Sequence, residues 1–162
     1  MDVSKASLDA IYAGWLNYQS LLIDALARLK SDQLALQAAP NLRSIEAIAT
    51  HMIGARGRWF APPLGDGDKH LARLSRWDRR GGPVRSPKEI VQGMRYSLDY
   101  IHTTINNWSP SDWQETFPGE DSNEPQVITR PWIIWHLIEH DLHHGGEISL
   151  TMGVHKLKAP DL

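Results

Sequence analysis

No cysteine occurs in the 162 residues. That excludes disulfides, thiolate metal ligands and cysteine nucleophiles together, and it points to a cytoplasmic protein. Any metal bound here is held by nitrogen and oxygen. No window approaches the roughly eighteen consecutive apolar residues that a membrane span needs. Met1-Asp2-Val3-Ser4-Lys5 lacks the basic start and apolar run of a signal peptide. Charge of one sign is also lacking: 17 basic residues face 19 acidic ones, for a net charge of −2. The expected partner is therefore a small neutral or anionic molecule, with no nucleic acid and no membrane. Phenylalanine and tyrosine are sparse, at two and four, against seven tryptophans. All but Trp77 fall in or beside the helices described next. Trp59 and Trp135 are placed as walls of a pocket, although a tryptophan is more commonly a core or interface side chain.

A chain of 162 residues and 18.3 kDa predicts one domain over 1–162. Apolar residues from Leu8 to Leu29 recur at three- and four-residue spacing and predict a long amphipathic helix from Ser4 to about Lys30. Ser44 is a good N-cap for a second helix carrying Ile45, Ile48, Met52, Ile53 and Trp59, which Pro62-Pro63 should end. Residues 64–85 hold four glycines and a run of charges. They read as a long connection with a short helical piece around Leu71, the charges forming a solvated surface. Ser86-Pro87-Lys88-Glu89 is a capping box for a third helix to about Asn107. Phe117 to Val127 reads as an exposed loop. Thr129-Arg130-Pro131 caps a fourth helix that runs to Gly153, weakened at Gly145-Gly146. No strand pair or internal repeat is evident. The expectation is an all-α four-helix bundle with long connections, a fold whose core commonly holds metals between facing helices.

Four of the eight histidines fall in His136-Leu137-Ile138-Glu139-His140-Asp141-Leu142-His143-His144. A step of four residues advances only about 40° around a helix, so His136, His140 and His144 form one slowly drifting stripe. Imidazoles at i and i+4 supply half of a tetrahedral shell for a divalent transition metal. Ile133, Leu137, His140, His144 and Ile148 share a face, which points the His140/His144 pair into the core. His143 lies about 60° from His140 and is the spare, a group orienting its neighbours or a surface one. His136 is a further ligand or a pocket-lining donor. A third ligand must come from another helix. His51, among Ile48, Met52 and Ala55, is the first candidate and His102, beside Ile101 and Ile105, the competing one. A lone histidine on an apolar face is more often a satisfied core residue than a ligand, but a facing i,i+4 pair changes that balance. His136-x-x-Glu139-His140 also fits the inverted zincin pattern. In that reading His136 and His140 bind zinc, and a carboxylate ligand is needed from a further segment.

A mid-helix histidine in Ser44-Ile45-Glu46-Ala47-Ile48-Ala49-Thr50-His51, followed by His136-x-x-x-His140-x-x-His143-His144-Gly145-Gly146-Glu147, resembles the DinB-like (YfiT-like) superfamily of metal-dependent enzymes. The likeness covers nearly the whole chain. It implies a four-helix bundle that binds a divalent metal through one histidine of the second helix and an i,i+4 pair of the last long helix. Those positions are His51, His140 and His144. It further implies a homodimer and, from members that use bacillithiol or mycothiol, a low-molecular-weight thiol as cosubstrate. The family's His-His-Arg-Gly-Gln is here His143-His144-Gly145-Gly146-Glu147, so an arginine that meets an anionic substrate is missing. Arg56, Arg58 and Arg130 are possible replacements, each read as a surface cation.

Three neutral imidazoles leave an open coordination position, where a water or a thiol becomes acidic enough to act near pH 7. The expected activity is a metal-dependent transferase using a thiol, or a hydrolase, acting on a small molecule with Zn²⁺ or Ni²⁺. No separate general base stands out. Glu139, Asp141 and Glu147 read as surface carboxylates or as groups that orient the histidines. The rival reading is a non-catalytic bundle with a structural metal, serving as a binding or stress-response module. A closed four-ligand shell would favour it.

Overall fold

The structure is a computed structural model that describes residues 5–64, 68–118 and 127–161. Its helices are α1 (Lys5–Ala27), α2 (Ser31–Leu34), α3 (Ile45–Leu64), α4 (Lys69–Leu74), α5 (Pro87–Asn106) and α6 (Arg130–Val154). The long ones, α1, α3, α5 and α6, form the bundle. Helix α3 lies at its centre, packed on both α6 and α5, and α1 packs on α5. Leu22, Leu26, Met52, Ile53, Met94 and Ile101 are sealed from solvent between them. None of the described helices is long and apolar enough to cross a membrane.

The starts of the helices are where local chemistry places them. Ser86 Oγ accepts the Glu89 N–H at 3.3 Å while the Glu89 carboxylate accepts the Ser86 N–H at 2.9 Å, so α5 begins with a reciprocal cap. Thr129 Oγ1 accepts the Trp132 N–H at 3.2 Å and starts α6. Ser44 Oγ accepts the Ala47 N–H at 3.2 Å at the head of α3. Asp68 caps α4, the short piece expected around Leu71, by accepting the N–H groups of His70 and Leu71.

Three local expectations need correction. The first helix ends at Ala27, and a separate turn, α2, starts where Gln33 Oε1 accepts the Lys30 N–H at 2.9 Å. Helix α3 continues past Pro62-Pro63 to Leu64. A proline tolerates helical φ, and what it removes is an N–H, so the helix carries one residue beyond the second ring. The loop read from Phe117 to Val127 lies mostly outside the described residues, at 119–126. Its ends pair antiparallel as β1 (Thr116–Pro118) and β2 (Val127–Thr129), with Phe117 opposite Ile128. Three residues per strand are too few to show a period of two in sequence.

Helix α6 is not interrupted at Gly145-Gly146. Glycine costs a helix roughly 0.5–1 kcal/mol relative to alanine, but at Gly145 the missing side chain lets α1 approach. A Cβ there would sit 1.9 Å from the Tyr18 hydroxyl oxygen. The backbone of α6 is thus packed directly against Tyr18, one residue beyond His144.

Candidate metal centre

Helices α3 and α6 bring three imidazoles to one point. His51 comes from the middle of α3, and His140 and His144 from successive turns of α6. One ring nitrogen from each lies within 4.8 Å of the other two. The Nε2 atoms of His51 and His140 are 3.2 Å apart. Ring centroids are separated by 5.0 Å for His51 and His140, 5.0 Å for His51 and His144, and 4.3 Å for His140 and His144. His144 is buried, while His51 and His140 are half-buried. Among the described residues no fourth histidine or carboxylate joins this group.

Two of the rings are oriented by carboxylates. His51 Nδ1 lies 2.8 Å from Asp78 Oδ2, and His144 Nδ1 lies 2.6 Å from Glu147 Oε2. With the proton of each Nδ1 directed to a carboxylate, the lone pair is left on Nε2, which in His51 faces the His140 ring. Asp78 is itself clamped by Arg58, whose two Nη groups donate to its two oxygens at 2.6 and 2.8 Å. Burial pushes the Asp78 carboxyl up, but Arg58 and His51 outweigh it and hold it below the usual range. Glu147 is likewise raised by burial and brought lower overall by His144 and Arg43. Arg43 donates to Glu147 at 3.2 Å and sits 3.3 Å from His144 Nδ1.

His140 has no such partner: its Nδ1 is buried without a hydrogen bond among the described residues. Burial, followed by the neighbouring charges of His144 and His51, pushes its pKa down to about 3. Burial also lowers His144, against the pull of Glu147. Low basicity keeps these rings neutral, the form in which imidazole binds a metal. A tetrahedral ion with Zn–N bonds of 2.0–2.1 Å separates its ligand nitrogens by about 3.3 Å, close to the spacing of the His51 and His140 Nε2 atoms. The donor set and its geometry fit a divalent transition metal. Replacing Asp78 with asparagine is expected to weaken metal binding by about 10–100-fold, the usual loss when a group orienting a ligand is removed. Competition against a chelating indicator measures this.

The other histidines are placed elsewhere. His136 is not in the group. Its ring stacks on Trp132 at 5.1 Å and 3°, meets Trp59 edge-on at 4.7 Å, and its Nδ1 bonds Glu139 at 2.9 Å. The pair His136 and His140 with Glu139 between them therefore does not form an inverted zincin site. His143 is largely exposed, with Nε2 3.9 Å from Glu147. His102, the competitor of His51, contacts Asn106 on its own helix. Trp59 packs with Trp132 and His136, and Trp135 is 58% exposed. Neither lines the cleft beside His51. That cleft, of about 330 Å³, lies between the first half of α3 and residues 77–84, and its tryptophan is Trp77. The aromatic that reaches the site thus comes from the connection and not from a helix.

Asp141 and Arg56 also differ from expectation. Asp141 bonds Trp15, Gln19 and Arg56 rather than a histidine of the cluster, and Arg56 is no surface cation. Both are fully buried and paired, Arg56 Nη2 to Asp141 Oδ2 at 2.8 Å and Nε to Oδ1 at 3.3 Å. Asp141 follows His140 by about 100° around α6, which turns it inward to α1, where Trp15 and Gln19 donate to it at 2.9 and 3.1 Å. Burial raises its carboxyl above the usual range, against the pull of Arg56 and Trp15. Arg130 is buried as well, paired with Glu115 and lying over the Trp108 ring at 4.7 Å. Arg58, the third such cation, is committed to Asp78.

The sequence pointed to the three rings but not to Asp78, which lies 27 residues from His51 within a charged run. One signal was present. Gly54, one turn after His51, leaves the space that the Asp78 carboxylate fills, since a Cβ there would lie 2.7 Å from Asp78 Oδ1.

Several solved structures share this fold. A DinB-like protein from Bacillus cereus superposes with a TM-score of 0.70 at 19% identity, covering 93% of each chain. A conserved protein from Enterococcus faecalis gives 0.64 at 12% identity, over 94% of this chain and 99% of that one. YfiT from Bacillus subtilis, described as a probable metal-dependent hydrolase with an unusual four-helix bundle topology, gives 0.61 at 13% identity over 96% and 89%. No curated protein matches the chain in sequence. Residues 1–154 match the DinB family, and the chain belongs to it.

Proposed function

We propose that this DinB-family protein is a metal-dependent enzyme in which His51, His140 and His144 hold a divalent transition metal, Zn²⁺ or Ni²⁺, and a small-molecule substrate enters by the cleft beside His51. The observation that carries this reading is the number of donors: among the described residues three protein nitrogens converge where a structural site would supply four. When bound, the ion supplies Lewis acidity that brings the pKa of an incoming thiol or water toward neutrality. The chain's own groups do the rest. Asp78, clamped by Arg58, fixes the His51 ring, and Glu147 fixes His144 while Arg43 keeps it anionic.

A low-molecular-weight thiol is the favoured nucleophile, making the reaction an S-transfer. The carboxylates that orient the cluster are already paired, and Glu46, which lines the cleft, accepts the Arg85 N–H; a thiol needs less help from a base than water does. Hydrolysis is the second reading, favoured by the description of Bacillus subtilis YfiT as a probable metal-dependent hydrolase. Exposed Trp132, Trp135, Leu142 and Leu150 fall within one face of α6, and this face supports a homodimer.

Cobalt substitution tests the thiol reading. Adding 2-mercaptoethanol to the Co²⁺-loaded protein is expected to produce a sulfur-to-metal charge-transfer band and to change the visible d–d spectrum. Saturating thiol that leaves both unchanged would exclude thiol chemistry at this centre, and a spectrum insensitive to every small ligand would favour a closed, structural ion.

A further inference from the structure

The segment from Arg73 to Arg85 is charged out of proportion to the chain. It holds five arginines, at 73, 76, 79, 80 and 85, and one acid, Asp78, in a protein of net charge −2. Asp78 is already satisfied by Arg58 and His51. Arg76, Arg79 and Arg80 are exposed. Gly81, at φ +79, permits the turn in which the Gly82 N–H returns to the Arg79 carbonyl at 3.1 Å. This turn sets Arg79 and residues 81–84, with Trp77 and Asp78, along one wall of the cleft, and Arg43, Glu46, Ala47, Thr50 and His51 along the other; of its two carboxylates, Asp78 is held by Arg58, and Glu46 Oε1 accepts the Arg85 N–H at 3.1 Å.

We infer that this cleft selects a small molecule carrying a carboxylate or phosphate, which Arg79 and Arg43 receive at the cleft while its reacting end meets the histidine cluster. The inference rests on the proposed metal centre for its reacting end but not for its anion site. Arg43 spans both parts, since it lines the cleft and also reaches Glu147 and His144. A guanidinium can grip a carboxylate or phosphate through two parallel N–H donors. Exposed Arg76 and Arg80, close to Arg79 in the chain, add positive potential beside the cleft and raise the local concentration of anions. A cleft of about 330 Å³ has the size of a small-ligand site. A polyanion would call for an extended basic face instead.

Two thiols that differ in charge test this on the full Zn²⁺-loaded chain by titration calorimetry: 3-mercaptopropionate and the uncharged 1-thioglycerol. The anionic thiol is expected to bind about tenfold tighter, the order of one charge-assisted hydrogen bond. Arg79→Gln should erase that preference while leaving 1-thioglycerol affinity and zinc content as in the parent. Inorganic phosphate, titrated into metal-free protein, supplies the arm that needs no ion. Its binding is expected to survive His140→Ala and to be lost in Arg79→Gln. Failure of zinc uptake with phosphate binding intact would overturn the metal centre alone. Equal affinities for the two thiols, phosphate binding that is absent or indifferent to Arg79→Gln, or a rim that engages only duplex DNA or phosphatidylserine vesicles would overturn the anion site.

Discussion

Arg56→Ala is expected to lower the unfolding free energy by about 3–5 kcal/mol, the usual cost of removing one partner from a buried ion pair. Arg56 makes contacts to three other helices at once. Its guanidinium donates to Asp141 on α6, to Gln19 Oε1 on α1 at 2.5 Å, and to the Met94 carbonyl and Ser97 Oγ on α5, each at 3.1 Å. Alanine would leave Asp141 sealed from water without a cation, its carboxyl forced toward the neutral form. It would also remove the donor to the buried Gln19 Oε1, and an unsatisfied buried group of this kind costs roughly 1–3 kcal/mol. Urea unfolding followed by tryptophan fluorescence gives the number. A loss below about 1 kcal/mol would mean that water reaches the pair after all. The double replacement Arg56→Met with Asp141→Leu should recover much of the loss, because an apolar pair avoids the desolvation cost that the ions carry.

The second large effect is on the metal. His51→Ala, His140→Ala and His144→Ala should each reduce bound zinc from about one ion per chain to a small fraction, because two imidazoles and an open shell bind far more weakly than three. His136→Ala should retain the parent's content, its ring being occupied by Trp132, Trp59 and Glu139. Metal analysis of gel-filtered protein after loading separates the four variants. Zinc retained in all three cluster variants would place the ion elsewhere. Loss in His136→Ala would return the inverted zincin pairing to consideration. The fold should outlast the ion, since α1, α3, α5 and α6 bury a continuous apolar core without it. Chelation is therefore expected to leave the helical circular dichroism in place.

What could be read in advance followed the range of the interactions. His140 and His144 lie one turn apart, so helix geometry alone placed them together. The same periodicity put Ile133, Leu137 and Ile148 beside them, and all three are sealed in the core. The caps at Ser86 and Thr129 depend on three residues each and were equally plain. His51 against His102 was not a local question. Which histidine meets α6 depends on how α3 and α5 pack; the apolar face around His51 put it first, and the resemblance to a known family agreed with that choice.

Long-range pairing hid the rest. Arg56 reads as a surface cation because a buried arginine is rare, and its burial depends on Gln19, Ser97 and Asp141, contributed by three other helices. Asp78 reads as one charge in a solvated run, yet its partners His51 and Arg58 lie 27 and 20 residues before it. Trp77 reads in sequence as the tryptophan outside the helices. It packs at Gly93, where a Cβ would lie 2.8 Å from its ring, and carries Arg85 above it at 4.5 Å. The absence of a side chain at 54, 93 and 145 records these approaches, but a glycine in a helix does not name what comes near.

X-ray absorption at the zinc edge of the loaded protein tests the central claim most directly, because multiple scattering from imidazole rings counts histidine ligands. The account predicts three imidazoles and at least one further light ligand from solvent, with one imidazole fewer in His140→Ala. Two or fewer imidazoles in the parent, or a shell that protein groups fill completely, would contradict it.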